Sequence, residues 1–270
     1  MTDSPIFAEL TSRVLVSVIG PDWRSFLQGL LSQDVETLEA GELRFGALLT
    51  PQGKLLFDLF ILGRDDGCWL DVAADRRAAL IQRLTIYKLR AKVEISPLDA
   101  AVSALWGGSA EGFAADPRPV ALGWRGYGAA VPAGAALADE AAYDAMRLSL
   151  GVPDAGKDCP SETTYPIEAN FDLLNGIDFQ KGCFVGQETT SRMKRRGAIK
   201  NRMLPLAFDG PPPPFGAEVL AGGTLRAGDV RSGVEGRAMA LVRLDRIEGA
   251  ALSVEGRPVR AEAYGRTVEA

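Results

Sequence analysis

Apolar and polar positions alternate through RVLVSVIG (residues 13–20), and the β-branched residues there predict a strand. The period then lengthens. In PDWRSFLQGLLSQDV, Trp23, Phe26, Leu27, Leu30 and Leu31 recur at the i, i+3, i+4, i+7, i+8 spacing of a helix whose first turn holds Pro21 and Asp22. Residues 43–62 read as a hairpin, two apolar runs meeting at Pro51, Gln52 and Gly53, where proline and glycine supply the turn dihedrals. CWLDV predicts the next strand. From 74 to 90 the pattern is again helical, with Leu80, Ile81, Leu84 and Tyr87 on one face and Arg76, Arg77 and Arg83 largely elsewhere. AKVEI and AVSALW return to strand character.

Residues 107–138 are rich in Gly, Ala and Pro, with one candidate strand in PVALGWRG. A helix is expected from about Asp139, with Tyr143, Met146 and Leu150 inward and Gly151 closing it before Pro153. A loop with Pro160, Thr163 and Pro166 follows, then a short helix near 168–174 ending at Asn175-Gly176. Beyond residue 200, short alternating runs with turn signals predict a small all-β barrel, and four consecutive prolines form a stiff loop within it. Strands and helices without regular βα alternation make the class α+β.

Composition narrows the chemistry. The 270 residues include no histidine, which excludes Ser-His-Asp and Cys-His catalysis and any imidazole-ligated zinc. The three cysteines, Cys68, Cys159 and Cys183, are an odd number without CxxC spacing, so reduced thiols are expected rather than a disulfide framework or a zinc knuckle. A formal net charge of −5 gives the whole chain no pull toward nucleic acid or an anionic membrane. The amino terminus lacks the basic flank and apolar core of a signal peptide, and no transmembrane run is present, so a cytoplasmic protein is expected.

One stretch concentrates candidate chemistry: KGCFVGQETTSRMKRRG, residues 181–197. Cys183 lies between Gly182 and Gly186, just ahead of a helix start with Glu188 in its first turn and Gly197 at its end. A helix N-terminus and nearby Lys181 favour a thiolate, while a buried structural cysteine in a glycine-permitted turn is an equal alternative. Arg192, Lys194, Arg195, Arg196, Lys200 and Arg202 form a basic block, read either as a solvated face or as a site for an anionic ligand tail or acidic partner. Glu168, after Pro166, either caps a short helix or offers two acceptors to a heterocycle. Asp58 is a lone charge in the apolar run LLFDLFIL and faces either a polar cavity or solvent.

KGCFVGQE (181–188) resembles the signature of the YgfZ-type folate-binding proteins, bacterial relatives of a mitochondrial iron–sulfur assembly factor within the wider glycine-cleavage T-protein family. DWRSFLQGLLSQDV, LLTPQGKLLFDLFI, RRAALIQRLTIYKLRAKVEI, YDAMRLSLGVPDAG and YPIEANFD resemble the family's other blocks, in its order. The resemblance implies a three-domain ring: a discontinuous folate-binding domain (1–45 plus 118–200), a ferredoxin-like domain (46–117) and a C-terminal β-barrel (201–270). It implies tetrahydrofolate or a one-carbon derivative as cofactor, with Glu168 on the pterin and Lys181, Gly182, Gly186, Gln187, Glu188 and Arg192 as further binding positions. Cys183 stands where the T-protein carries an acid, and Asp58 is left of a pair of acids whose other member is here Phe57. The implied function is assembly or repair of iron–sulfur clusters, with client or assembly proteins as partners and Cys183 as a reactive thiol or a cluster ligand shared with a partner. A folate-dependent aminomethyl or one-carbon transferase using Asp58, and a folate-binding tRNA-modification factor, are the alternatives.

Overall fold

The computed structural model describes residues 4–118, 121–197 and 199–263. Three sheets carry the fold. The first is antiparallel, with strands in the order Leu43–Leu49, Leu55–Arg64, Gly67–Ala73, Arg13–Ile19 and Glu94–Leu98. Helices Trp23–Gln28 and Arg77–Lys88 cover one of its faces, where Val16, Val18, Leu59, Ile61, Leu80 and Leu84 contribute to a core. The second sheet runs Ala136–Ala138, Ile6–Glu9, Val102–Trp106, Trp124–Tyr127 and Phe113–Ala115. The third is a closed six-stranded barrel between Asn201 and Ala261.

Strand pairing cuts across the boundaries expected for the middle domain. The ferredoxin-like βαββαβ pattern, with one extra hairpin strand, spans Arg13–Leu98, because Arg13–Ile19 pairs on one side with Gly67–Ala73 and on the other with Glu94–Leu98. The strands Val102–Trp106 and Phe113–Ala115 join Ile6–Glu9 and Trp124–Tyr127 instead. Such long-range pairing leaves no trace in the local pattern.

Shorter features follow the local pattern unevenly, for identifiable reasons. The hairpin turns at Pro51-Gln52-Gly53, with Gly53 at φ 83°. Of the candidate strand in PVALGWRG, Trp124–Tyr127 forms, while residues 119–120 lie outside the described residues. Asp139 caps helix Glu140–Ser149 by accepting from the Ala142 amide. The first helix stops early, at Gln28, although Leu30 and Leu31 are still buried. No regular helix forms over 168–174. Asn170 and Asn175 take positive φ (61° and 54°), so the chain packs Ile167, Phe171 and Leu174 through successive turns.

Between the first two sheets lies a buried ionic network. Alternation turns Asp58, Phe60 and Leu62 to this side of their strand and Phe57, Leu59 and Ile61 to the helix-covered side. Arg13 donates to Asp58 (2.8 Å) and to Asp71 (2.6 Å), and Arg125, from the second sheet, donates to the other Asp71 oxygen (2.7 Å). Arg118 pairs with Asp116 at 2.7 Å and reaches the Tyr143 hydroxyl at 3.0 Å. The Phe60 ring sits among the three guanidinium groups, that of Arg125 lying 3.6 Å from its centroid. Burial pulls the Arg13 guanidinium down, but Asp58 and Asp71 outweigh it and hold it firmly protonated.

Replacing Asp71 by Ala leaves Arg13 and Arg125 buried without their shared acceptor, an arrangement that costs about 3–5 kcal/mol. Asp71→Ala is therefore expected to lower the urea midpoint sharply, and a midpoint within error of wild type would contradict this account of the network.

Candidate functional site

The KGCFVGQE segment is held from both sides. Asp178 accepts from the amides of Gln180 (2.7 Å) and Lys181 (3.1 Å), turning the chain. The Lys181 side chain donates to three carbonyls distant in sequence, those of Gln28 (2.9 Å), Leu31 (2.7 Å) and Gln33 (2.7 Å). These lie where the first helix stops, so Lys181 satisfies the end of that helix and the turn beyond it. Burial pulls its ammonium down to about 8, which leaves it charged at neutral pH. On the far side Phe184 is buried, and the Val185 amide donates to the Gly29 carbonyl at 3.1 Å.

Cys183 lies between these anchors and is exposed, whereas Cys68 and Cys159 are buried. Burial pushes both interior thiols well above their ordinary range, keeping them neutral. The turn-filler alternative for Cys183 fails, because a filler would be enclosed. Packing does not demand Gly182 either: a Cβ there would meet nothing within 4 Å. Gly186 is demanded. It has φ 83°, and a Cβ would come within 2.6 Å of the Thr50 carbonyl oxygen, because the hairpin turn packs against this point.

Helix Gln187–Arg196 starts after Gly186 and is closed by Gly197, as its sequence predicts. Gln187 and Glu188 line an open groove of about 530 Å³ together with Phe179, Ser191, Lys194 and Arg195. Arg192 and Arg196 are exposed. Arg202 drops out of the basic block: its two terminal nitrogens bind Asp172, at 2.7 and 2.8 Å, and tie the 166–175 turns to the barrel.

The two carboxylates expected at a pterin are partnered within the protein. Glu168 accepts from the Tyr165 amide (3.0 Å) on one oxygen and from the Asn201 side chain (2.8 Å) on the other, joining its turn to the first barrel strand. Asp58 is buried against Arg13, and the cavity beside it, lined by Leu55, Phe57, Ala155, Gly156 and Cys159 among others, holds about 20 Å³. That is room for about one water and far too little for a pterin. Burial pushes the Asp58 carboxyl up, while the Arg13 guanidinium acts against it. The cavity beside Asp58 therefore does not fit reduced folate, and the Lys181 ammonium is taken up by three carbonyls of the protein. Sequence reasoning misses Arg13, Asp71, Asp116, Arg118 and Arg125 altogether. Asp71 is findable, since CWLDV places an acid inside an apolar strand just as LLFDLFIL does.

Among the described residues, no group of three or more Cys, Asp or Glu side chains is arranged to hold a metal, and no helix is long and apolar enough to cross a membrane.

Comparison with known proteins agrees with this architecture. Residues 200–265 match the family model described as the CAF17 C-terminal beta-barrel domain. The solved glycine cleavage system aminomethyltransferase T from Bartonella henselae shares the fold, with a TM-score of 0.72 over 97% of this chain and 83% of that one, at 19% identity. A mitochondrial iron-sulfur cluster assembly factor IBA57 homolog of Mycosarcoma maydis is 34% identical over 77% of this chain, and one of Neurospora crassa is 34% identical over 78%. The chain spans only 59% and 56% of those two fungal proteins. The human mitochondrial iron-sulfur cluster assembly factor IBA57 is 31% identical over 89% of this chain and 78% of its own length. By that match the chain belongs to the IBA57 family of iron–sulfur cluster assembly factors.

Proposed function

We propose that this protein assists the assembly of iron–sulfur clusters in client enzymes by presenting the Cys183 thiolate to a cluster held jointly with a partner protein. The observation that carries the reading is the exposure of Cys183 on a segment pinned by Lys181 and Phe184. A thiolate displaces a weaker ligand on iron, and the thiol gives up its proton in doing so. Clusters are usually held by four such ligands. This chain offers one accessible thiol, so a partner must bring the others. Gly182 suits that approach, since the space beside the thiol is open where any other residue would place a side chain. The exposed Arg192, Lys194, Arg195 and Arg196 give an acidic partner a complementary surface on the helix that follows the thiol.

The transferase reading requires Asp58 to meet a substrate, and the ion pair with Arg13 beside a water-sized cavity opposes it. The assembly reading needs no folate at that position. In it, Glu168 is a structural tie between the turn at 165–168 and the barrel.

Two measurements test the proposal. Iodoacetamide is expected to modify only Cys183 in the native protein and all three cysteines in denaturant, as mass spectrometry of the digested chain would read. In a gene deletion, wild type and Glu168→Gln should restore the activity of iron–sulfur enzymes, whereas Cys183→Ser should leave it at the level of the deletion. Full complementation by Cys183→Ser at wild-type protein levels would end the proposal.

A further inference from the structure

Cys183 sits midway along a loop whose two ends meet at one groove. Phe179, four residues before it, and Gln187, four residues after it, line the same open space of about 530 Å³, and Glu188, Ser191, Lys194 and Arg195 complete its wall. Four residues of fully extended chain span at most about 14 Å, so the Cys183 backbone lies within that distance of both ends. Gln187, Glu188, Ser191, Lys194 and Arg195 recur at spacings of three and four, so helix Gln187–Arg196 gives the groove one continuous face, with Phe179 as the other wall.

The charge of this groove is positive and largely uncompensated. Lys194 holds its ammonium 5.0 Å from the centre of the Phe179 ring. Asp172 comes within 4.0 Å of it, but that carboxylate already takes both terminal nitrogens of Arg202, so the ammonium is not neutralised. The Arg195 Nε donates to the Ser191 carbonyl at 3.4 Å, and among the described residues Arg195 has no acid partner. Against these two cations the wall sets a single acid, Glu188. The far side of Phe179 is opposite in sign. Phe179 also lines a neighbouring cleft of about 610 Å³, where Asp34, Glu42 and Asp178 outnumber Arg44, itself paired with Asp34 and Glu42. One phenyl ring thus divides a basic groove from an acidic cleft.

We propose that the groove between Phe179 and helix Gln187–Arg196 is the docking site for an extended acidic segment of the partner protein, with a partner cysteine within a few residues of the acids. The cysteine rests on the reading of Cys183 given above, whereas the acidic segment rests on the charge of the groove. Binding pockets enclose most of a small ligand, which an open groove does not. A polypeptide segment suits it better, because the rest of its protein supplies further contact. Its carboxylates would meet Lys194 and Arg195 in charge-assisted hydrogen bonds. Carboxylates past Phe179 would meet Asp34, Glu42 and Asp178, so the acidic stretch is held to the helix side and lies alongside the loop that carries the thiol. A second copy of this chain is disfavoured as occupant, because the acids it could offer from the adjoining cleft are recessed in a concavity of their own.

The test places a photo-crosslinking phenylalanine analogue at Ser191 of the full chain, in cells lacking the chromosomal gene. The expected adduct joins position 191 to one protein, at a segment carrying several Asp or Glu residues and a nearby cysteine. With that protein purified, the double variant Lys194→Glu, Arg195→Glu should weaken binding roughly tenfold or more, and exchanging the acids of the crosslinked segment for lysine should restore binding to this variant but not to wild type. Arg90→Glu, an exposed charge outside the groove, should leave binding unchanged. Iodoacetamide labelling of Cys183 at the wild-type rate checks that the variant keeps its loop. An adduct confined to another copy of this chain, no adduct, an adduct at a segment without acids, or binding insensitive to the double variant would overturn the proposal. The two readings fail separately. If the double variant complements the deletion fully and Cys183→Ser does not, docking here is wrong and the assembly reading stands. If the double variant weakens binding while Cys183→Ser complements fully, the assembly reading is wrong and the docking site stands.

Discussion

Asp71 is fully buried and divides its carboxylate between two sheets, one oxygen to Arg13 of its own sheet and the other to Arg125 of the second. Leaving any of these charges unpaired in the interior would cost several kcal/mol, a large part of a typical domain's net stability. The stacking of the two sheets is thereby limited to the arrangement that brings both guanidinium groups to the same acid. Arg13, Arg118 and Arg125 face Asp58, Asp71 and Asp116, so each buried guanidinium has a carboxyl partner. Tyr143 links it to helix Glu140–Ser149, and Arg147 on that helix reaches Asp158 and the barrel residue Ser232. A chain of buried polar contacts thus runs from the first sheet to the barrel. Hydrophobic burial supplies the bulk of the stability, but it is non-directional, and these contacts specify how the sheets sit.

The same network decides where chemistry is possible. The strand Leu55–Arg64 turns Asp58 toward the second sheet, and Arg13 and the guanidinium groups around Phe60 fill the space on that face. The accessible thiol lies at the periphery instead, on the segment between Asp178 and Gly197. Rigidity reaches it through backbone carbonyls. The first helix ends after Gln28, its terminal carbonyls need donors, and Lys181 provides for three carbonyls from one ammonium. A fixed thiol with open space beside it is suited to meeting a partner's metal centre, because little conformational entropy is left to lose on contact.

Features encoded by a few adjacent residues are legible in the sequence. Gly186 and Gly197 mark both ends of the helix after Cys183, Asp139 marks the start of another, and Pro51 with Gly53 marks the hairpin. Features that depend on distant partners are not. Asp58 stands out in its strand, yet nothing local names Arg13, 45 residues away, as its partner. Lys181 reads as an activator of the neighbouring thiol, and only its bonds to residues about 150 positions earlier show that it is a cap. Helix Arg77–Lys88 is half visible: Leu80, Ile81, Leu84 and Tyr87 define the inward face, but only the structure shows Ile86 and Leu89 open to water.

Charge distribution connects these separate features. An acidic chain repels acidic partners at long range, but fields from exposed charges decay over about 8 Å at physiological ionic strength. Within that distance the local charge governs, and the helix after Cys183 is basic. For an acidic protein, approach at this helix is favoured over approach to the acidic remainder of the surface. Electrostatics of this kind selects orientation more than it adds affinity. In the proposed role of the one accessible thiol, orientation is the requirement that matters, since Cys183 could share a cluster only with partner ligands that arrive facing it.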